Sequence, residues 1–146
     1  MYDKIATMET YLLQQDLQTI GVQVTTFPNG IKEAFGGLMK TLGTSRDYYG
    51  ISWFDENGTI QYYAMAGLLH PEEATQHGYV TLTIPKGEYM TETLHNWMNN
   101  TDRIKDIFHR MLPNRNPGKS DPCIEWYKSD EEMICMVRIA GSSPHP

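Results

Sequence analysis

One glutamate stands in an aromatic segment that has a counterpart elsewhere in the chain. The residues Ile124-Glu125-Trp126-Tyr127 match Ile51-Ser52-Trp53-Phe54, so the second copy has a carboxylate where the first has a hydroxyl. Side chains alternate across a strand, which places Glu125 and Tyr127 on one face and the isoleucine and tryptophan on the other. A carboxylate among aromatic rings suits an organic cation, because each ring contact contributes about 0.5–2 kcal/mol.

The first copy adds further candidates to the face of Glu125. Ser52 and Phe54 match Glu125 and Tyr127, and Tyr48 shares their side of the strand. If the isoleucines and tryptophans cover the helices, the opposite face carries Glu125 among rings, with Trp97 as a cover for the cleft. The simpler alternative is a strand glutamate that faces water or pairs with Lys128 or Arg138. The predicted ligand-binding residues are Glu125, Tyr127, Phe54, Tyr48, Tyr63, Trp97 and Ser52, and no catalytic residue is assigned.

The match is part of a longer repeat. Ile31, Lys32 and Phe35 recur 73 residues later as Ile104, Lys105 and Phe108 (104 − 31), and the aromatic segments have the same offset. A constant offset across a helical and an extended segment predicts two copies of one unit, packed about a pseudo-twofold axis. We expect a single domain over residues 1–146, with internal repeats at about 10–69 and 79–140.

The elements that position these residues follow the same order in each half. Residues 10–26 are predicted to be extended, and a helix over 31–42 ends at Gly43. Asn57-Gly58 predicts a tight turn between strands 48–54 and 60–69. The second half has extended segments 79–84 and 89–94, a helix over 101–111 capped by Asn100 or Thr101, a loop over 113–122, and strands 124–127 and 133–139.

These elements predict an α+β fold. Its unit is a duplicated strand-helix-strand-strand module, with an antiparallel sheet, two helices on one face and a ligand cleft at the pseudo-twofold seam.

Composition and charge exclude several classes of protein. The net charge of −6 argues against nucleic-acid binding, which depends on basic surfaces. No apolar run reaches the roughly 20 residues of a membrane span, and residues 1–4 do not begin a signal segment, so a cytoplasmic protein is expected. Cys123 and Cys135 are expected to be reduced, and the five histidines show no metal-ligand spacing. No metal and no cofactor are predicted.

Several segments resemble the GyrI-like small-molecule-binding family, the effector-binding domain of AraC- and MerR-type bacterial regulators. The matching residues, which span roughly 17–139, are Tyr49-Gly50, Tyr63-Ala64-Met65-Ala66-Gly67, Leu82 to Tyr89, Leu112-Pro113 and Ile124 to Tyr127. The resemblance implies a duplicated module with a ligand cleft between its halves, and a glutamate at the position of Glu125 that faces bound cations. The helix-turn-helix domain that precedes this module in full regulators has no counterpart in the sequence.

We therefore predict a stand-alone effector-binding protein that senses or sequesters hydrophobic, cationic small molecules, as multidrug-binding domains do. A link to transcription regulation stays open. The alternative is a hydrolase of strained electrophiles that uses Glu125 and a tyrosine. The second carboxylate that such chemistry needs is missing at the equivalent position of the first copy, where Ser52 stands. A third alternative is a protein–protein role like that of the gyrase-inhibiting member; no protein partner is assigned.

Overall fold

The computed structural model describes residues 8–112 and 122–139, which form one mixed α+β structure. Most of the loop predicted over 113–122 lies outside the described residues. None of the helices in the described part is long and apolar enough to cross a membrane. The elements in chain order are β1 (Met8–Leu13), β2 (Leu17–Gln23), α1 (Ile31–Leu42), β3 (Tyr48–Phe54), β4 (Ile60–Gly67), α2 (Glu73–His77), β5 (Val80–Ile84), β6 (Gly87–His95), a 3-10 turn (Trp97–Asn99), α3 (Arg103–Met111), β7 (Cys123–Tyr127) and β8 (Glu132–Arg138).

The eight strands make one curled antiparallel sheet in the order β1-β6-β8-β7-β3-β4-β2-β5. The two halves meet at β3 and β7, where Ile51 lies opposite Ile124. These residues occupy equivalent positions in the sequence repeat, as an axis between β3 and β7 requires. The predicted duplicated module with an antiparallel sheet is therefore confirmed.

The first half contains one strand more than the sequence predicted, whereas the second half has the four strands expected. The segment expected to be extended over 10–26 is divided into β1 and β2, and the two strands separate: β2 pairs with β4 of its own half, whereas β1 crosses to pair with β6 of the other. In the second half, β5 crosses in the same way to pair with β2. Each half thus contributes its first strand to the edge of the other.

The repeat offset is not constant in the structure. Gln23 faces Tyr63, whereas the counterpart of Tyr63, Met136, faces Thr91. Gln23 and Thr91 are thus equivalent and lie 68 residues apart (91 − 23), instead of the 73 residues that separate β3 from β7. The second half compensates with five additional residues (73 − 68) between Thr91 and Ile104, because β6 continues to His95 before the 3-10 turn forms.

Helix α1 has the predicted bounds, and its ends show why. It follows Gly30 (φ 92°) and ends at Gly43 (φ 89°), whose N–H donates to the carbonyl of Met39. A positive φ is readily available to glycine, so both positions stop regular structure at low cost. In the β3–β4 turn Gly58 has a positive φ (79°) and Asn57 does not, and the backbone N–H of Asn57 donates to the carboxylate of Asp55.

The start of α3 differs from the prediction. The helix begins after Asp102, and no side chain caps it, so neither Asn100 nor Thr101 acts as predicted. The Asn100 side chain instead donates to the carbonyl of Asn96 and closes the preceding turn.

Helix α2 was not predicted. Its Glu73 forms a buried ion pair with Arg46 at 2.8 Å, and this hydrogen-bonded pairing lowers the pKa of Glu73 to about 2.

The helices cover the face of the sheet opposite to the one that the sequence indicated. Helix α1 packs its Leu38 with Tyr48 and Tyr62, and α3 packs Ile107 with Met133. The residues Ile51, Ile124, Met65 and Met136 form a separate core on the other face together with Tyr89 and Ile84. Because the sheet curls, this second face buries itself against strands and needs no helix.

One stability prediction arises from helix α1. Gly37 is exposed in mid-helix, and a Cβ added there would meet no atom within 4 Å. Alanine should therefore raise the free energy of unfolding by about 0.5–1 kcal/mol, because it loses less backbone entropy on folding. Urea unfolding of Gly37→Ala measures this, and a loss of stability would mean that the helix needs its flexibility.

Candidate ligand-binding site

Glu125 lies in the middle of the helix-covered face. On β7 it stands between Gly50 of β3 and Cys135 of β8. Gly50 leaves the space that the carboxylate uses: a Cβ at this position would lie 2.5 Å from Oε1 of Glu125 and 2.1 Å from the hydroxyl of Tyr62. The missing side chain on β3 thus admits a carboxylate into the packed centre of the sheet.

Two tyrosine hydroxyls bind this carboxylate. Tyr62 donates to Oε1 of Glu125 at 2.8 Å, and Tyr127 donates to the same oxygen at 2.5 Å. The two hydroxyl oxygens are 3.4 Å apart. None of the ion pairs among residues 8–112 and 122–139 involves Glu125. The alternative pairing with Lys128 or Arg138 is not found: Lys128 lies over the Trp126 ring, and Arg138 donates to the carbonyl of Lys86.

Burial shifts the acid–base equilibria of all three groups. It raises the pKa of the Glu125 carboxyl above its ordinary value, although the hydrogen bonds from Tyr127 and Tyr62 act in the opposite direction. Burial and the neighbouring carboxylate raise the pKa values of Tyr62 and Tyr127 well above their ordinary range. Both tyrosines therefore keep their protons near neutral pH and act as hydrogen-bond donors, and the carboxylate charge is left without a cationic partner in the described structure.

The raised pKa of Glu125 has a consequence for stability. The folded protein holds this proton more tightly than the unfolded chain, so the contribution of Glu125 is fully present below about pH 4.5 and is lost as the pH rises through the raised pKa. We expect the stability of the wild-type protein relative to Glu125→Gln to decrease over that interval. Urea unfolding of both proteins at a series of pH values measures the difference; a difference that increases with pH would contradict the raised pKa.

Aromatic rings surround the carboxylate and its two donors. The Tyr62 ring stacks on Phe27 at 5.0 Å between centroids. The Tyr127 ring meets Phe35 of α1 at 5.1 Å and Trp97 at 5.0 Å. Glu125, Tyr127, Phe35 and Trp97 are each partly exposed as whole residues, while the carboxyl group of Glu125 is itself desolvated by burial.

The structure brings together most, but not all, of the predicted site residues. Tyr48 is buried on the same face, where its hydroxyl donates to the carbonyl of Gly43. Ser52 lies opposite both Tyr62 and Cys123, beside the carboxylate, and Phe54 lies at the exposed end of the same strand. Tyr63 does not belong to this group. It is on the opposite face, where its ring stacks on Trp53 at 5.2 Å, because neighbours on a strand point to opposite sides.

Sequence reasoning missed Tyr62, Phe35, Phe27 and Gly50. Strand alternation could have found Tyr62, since the hairpin register places it opposite Ser52. Phe35 was noted only as part of the helical repeat, and no sequence signal shows which strand residues it meets. Gly50 was part of the family resemblance, but the space it leaves is visible only in three dimensions.

Metal-ligating side chains are not clustered in the described residues. No group of three or more histidines, cysteines or acidic residues within 8–112 and 122–139 could hold a metal ion. Cys123 and Cys135 are free thiols, as predicted. Glu92 is a second buried carboxylate on this face, opposite Cys135, but it pairs with Arg110 at 2.6 Å.

Known structures share this fold, although no family model and no curated protein sequence matches the chain. An integron cassette protein from the mobile metagenome of Vibrio cholerae is 15% identical, with 91% of this chain and 95% of that chain covered and a TM-score of 0.63. The protein SAV2435, solved bound to tetraphenylphosphonium, is 13% identical over 92% and 94% of the two chains, with a TM-score of 0.66. A putative bacterial transcription regulation protein from Staphylococcus aureus is 14% identical over 92% and 97%, with a TM-score of 0.54. At these identities the likeness shows the fold, which agrees with the GyrI-like resemblance.

Proposed function

We propose that this protein binds lipophilic organic cations against Glu125, between helices α1 and α3, and that it senses or sequesters them. The observation that carries the proposal is the carboxylate of Glu125. Burial destabilises its charge, and among the described residues only the hydroxyls of Tyr62 and Tyr127 bind it. A buried charge without a counter-charge is costly, and a cation that enters the site offsets that cost. The rings of Phe35, Tyr127 and Trp97 add apolar and cation–π contacts.

The fold neighbour solved with tetraphenylphosphonium supports this choice of ligand class, because that compound is a cation enclosed in aromatic rings. Tetraphenylphosphonium is the ligand of that protein, and only its chemistry is extended to this chain. The fold neighbour described as a transcription regulation protein supports a role as an effector-binding module.

Binding is favoured over hydrolysis by the pairing of Glu92. General acid–base hydrolysis requires two titratable groups that converge on the substrate. The second carboxylate on this face is held by Arg110 at 2.6 Å, which leaves Glu125 as the only unpaired carboxylate in the described centre of the face. One unpaired charge among rings is suited to holding a cation.

The test compares two ligands that differ mainly in charge. Methyltriphenylphosphonium and triphenylphosphine oxide carry the same three rings, but only the first is a cation. Tryptophan fluorescence reports the site, because the Trp97 ring lies 5.0 Å from that of Tyr127. Trp53 and Trp126 lie on the other face, so the signal should disappear in Trp97→Phe while calorimetry still detects binding. We expect the cation to bind more tightly; equal affinity for the oxide would contradict the proposal.

A further inference from the structure

The two oxygens of the Glu125 carboxylate have different surroundings. The hydroxyls of Tyr62 and Tyr127 both donate to Oε1. No group of the described residues donates to Oε2. Because each oxygen of an ionised carboxylate has lone pairs for about two hydrogen bonds, Oε2 keeps its full capacity as an acceptor.

Oε2 also keeps some contact with the surface. The Nε atoms of Arg46 and Arg110 and the Nε1 atom of Trp126 are buried without a partner, whereas Oε2, which has no partner either, is not sealed off in this way. Glu125 as a whole residue is partly exposed, although burial desolvates its carboxyl group. An accessible acceptor in a carboxyl group that is otherwise desolvated points to a ligand that donates a hydrogen bond to it.

The rings beside the carboxylate leave this donation to the ligand. The hydroxyl of Tyr127 is already used on Oε1, and Phe35 has no donor. The indole N–H of Trp97 donates to the carbonyl of Ser129, so this residue offers its ring to the site. A quaternary cation can contact rings, but carbon surrounds its charged atom. A protonated amine contacts rings as well, and its N–H brings the charge to about 2.7–2.9 Å from a carboxylate oxygen.

We propose that the site selects protonated lipophilic amines, whose N–H donates to Oε2 of Glu125 while their apolar groups lie on the rings of Phe35, Tyr127 and Trp97. This selection rests on the proposed function and narrows its ligand class from organic cations in general to those that carry an N–H. By binding Oε1, Tyr62 and Tyr127 determine which oxygen faces the ligand.

Two matched monocations test the selection. Diphenylpropyl-dimethylamine is protonated at neutral pH, and diphenylpropyl-trimethylammonium differs from it by a methyl group in place of the N–H. Isothermal titration should show that the amine binds about tenfold more tightly, because charge-assisted hydrogen bonds are the strong ones. In Glu125→Gln the amide oxygen has to accept from the tyrosines, so the NH₂ group takes the position of Oε2 and cannot accept. Both ligands should then bind weakly, and the preference for the amine should disappear.

Tyr127→Phe is the matched variant, since it keeps the ring and removes one of the two donors to Oε1. It should change both affinities together and leave their ratio as in the wild type. A ¹⁵N-labelled sample of the amine should also show a slowly exchanging N–H proton when it is bound to the wild type, and none with Glu125→Gln.

Two outcomes would overturn the selection and leave the cation site in place. The first is equal affinity of the wild type for the amine and the quaternary ion, with both weakened in Glu125→Gln. The second is a preference for the amine that persists in Glu125→Gln. If neither compound binds to the wild type, the proposed function fails, and the selection fails with it.

Discussion

Replacing Glu125 with glutamine should weaken the binding of methyltriphenylphosphonium by about 1–3 kcal/mol, the scale of a buried charge contact. Glutamine keeps the shape of the side chain and can still accept from Tyr62 and Tyr127, but it removes the charge that attracts the cation. The neutral triphenylphosphine oxide should bind almost as before. Isothermal titration of both ligands against both proteins measures the difference.

Ser52→Ala is the matched control for this prediction. Ser52 occupies the position equivalent to Glu125 in the first half and lies on the same face, opposite Cys123 and Tyr62. Removing its hydroxyl changes no charge, so the affinity for either compound should hardly change. Equal losses for the cation and the oxide in Glu125→Gln would show that the carboxylate only shapes the site, and no loss for either would place the ligand elsewhere.

Adding one methyl group at Gly50 should destabilise the protein and disrupt the site together. The Cβ of Gly50→Ala would lie 2.1 Å from the Tyr62 hydroxyl and 2.5 Å from Oε1 of Glu125, well inside contact distance. Tyr62 is 2% exposed and is stacked on Phe27, so its ring cannot simply move away. Overpacking of this kind costs about 1–3 kcal/mol of unfolding free energy.

Gly50→Ala should also weaken the binding of the cation as much as Glu125→Gln does. The reason is that the carboxylate of Glu125 loses its position and its Tyr62 donor. Urea unfolding and titration with methyltriphenylphosphonium measure the two effects on one protein. Gly37→Ala supplies the control, since it adds the same methyl group where nothing lies within 4 Å. If Gly50→Ala has full stability and normal affinity for the cation, the space that Gly50 leaves for the carboxylate is not needed.

Local structure was largely predictable from the sequence. Helix α1 has the predicted bounds because Gly30 and Gly43 end it through positive φ angles, and β3 matches because the loop at Gly58 closes its hairpin with β4. Strand alternation correctly placed Glu125 and Tyr127 together and away from Trp126. These outcomes depend on contacts between near neighbours in the chain, and the local sequence specifies such contacts.

Only the tertiary structure decided which face the helices cover. Alternation divides a strand into two sets of side chains, but it does not state which set meets a helix. Here the set with Ile51 and Ile124 is buried by the curl of the sheet, so the helices cover the set with Glu125. The prediction that isoleucine and tryptophan face the helices was wrong for this reason. The sequence also did not predict that β1 and β5 each pair with a strand of the other half. Strands far apart in the chain can pair in many registers, and the local sequence does not select one of them.

Some residues of the candidate site were predictable from the sequence, and others were found only in the tertiary structure. The sequence determined a carboxylate and a tyrosine on one strand face, Glu125 and Tyr127, because their spacing of two residues is the period of a strand. Tyr62 and the space at Gly50 came from neighbouring strands, and Phe35 came from a helix packed above them. The two-residue alternation of a strand is a property of neighbouring residues. The surroundings of a buried charge form only when separate strands and helices pack around it.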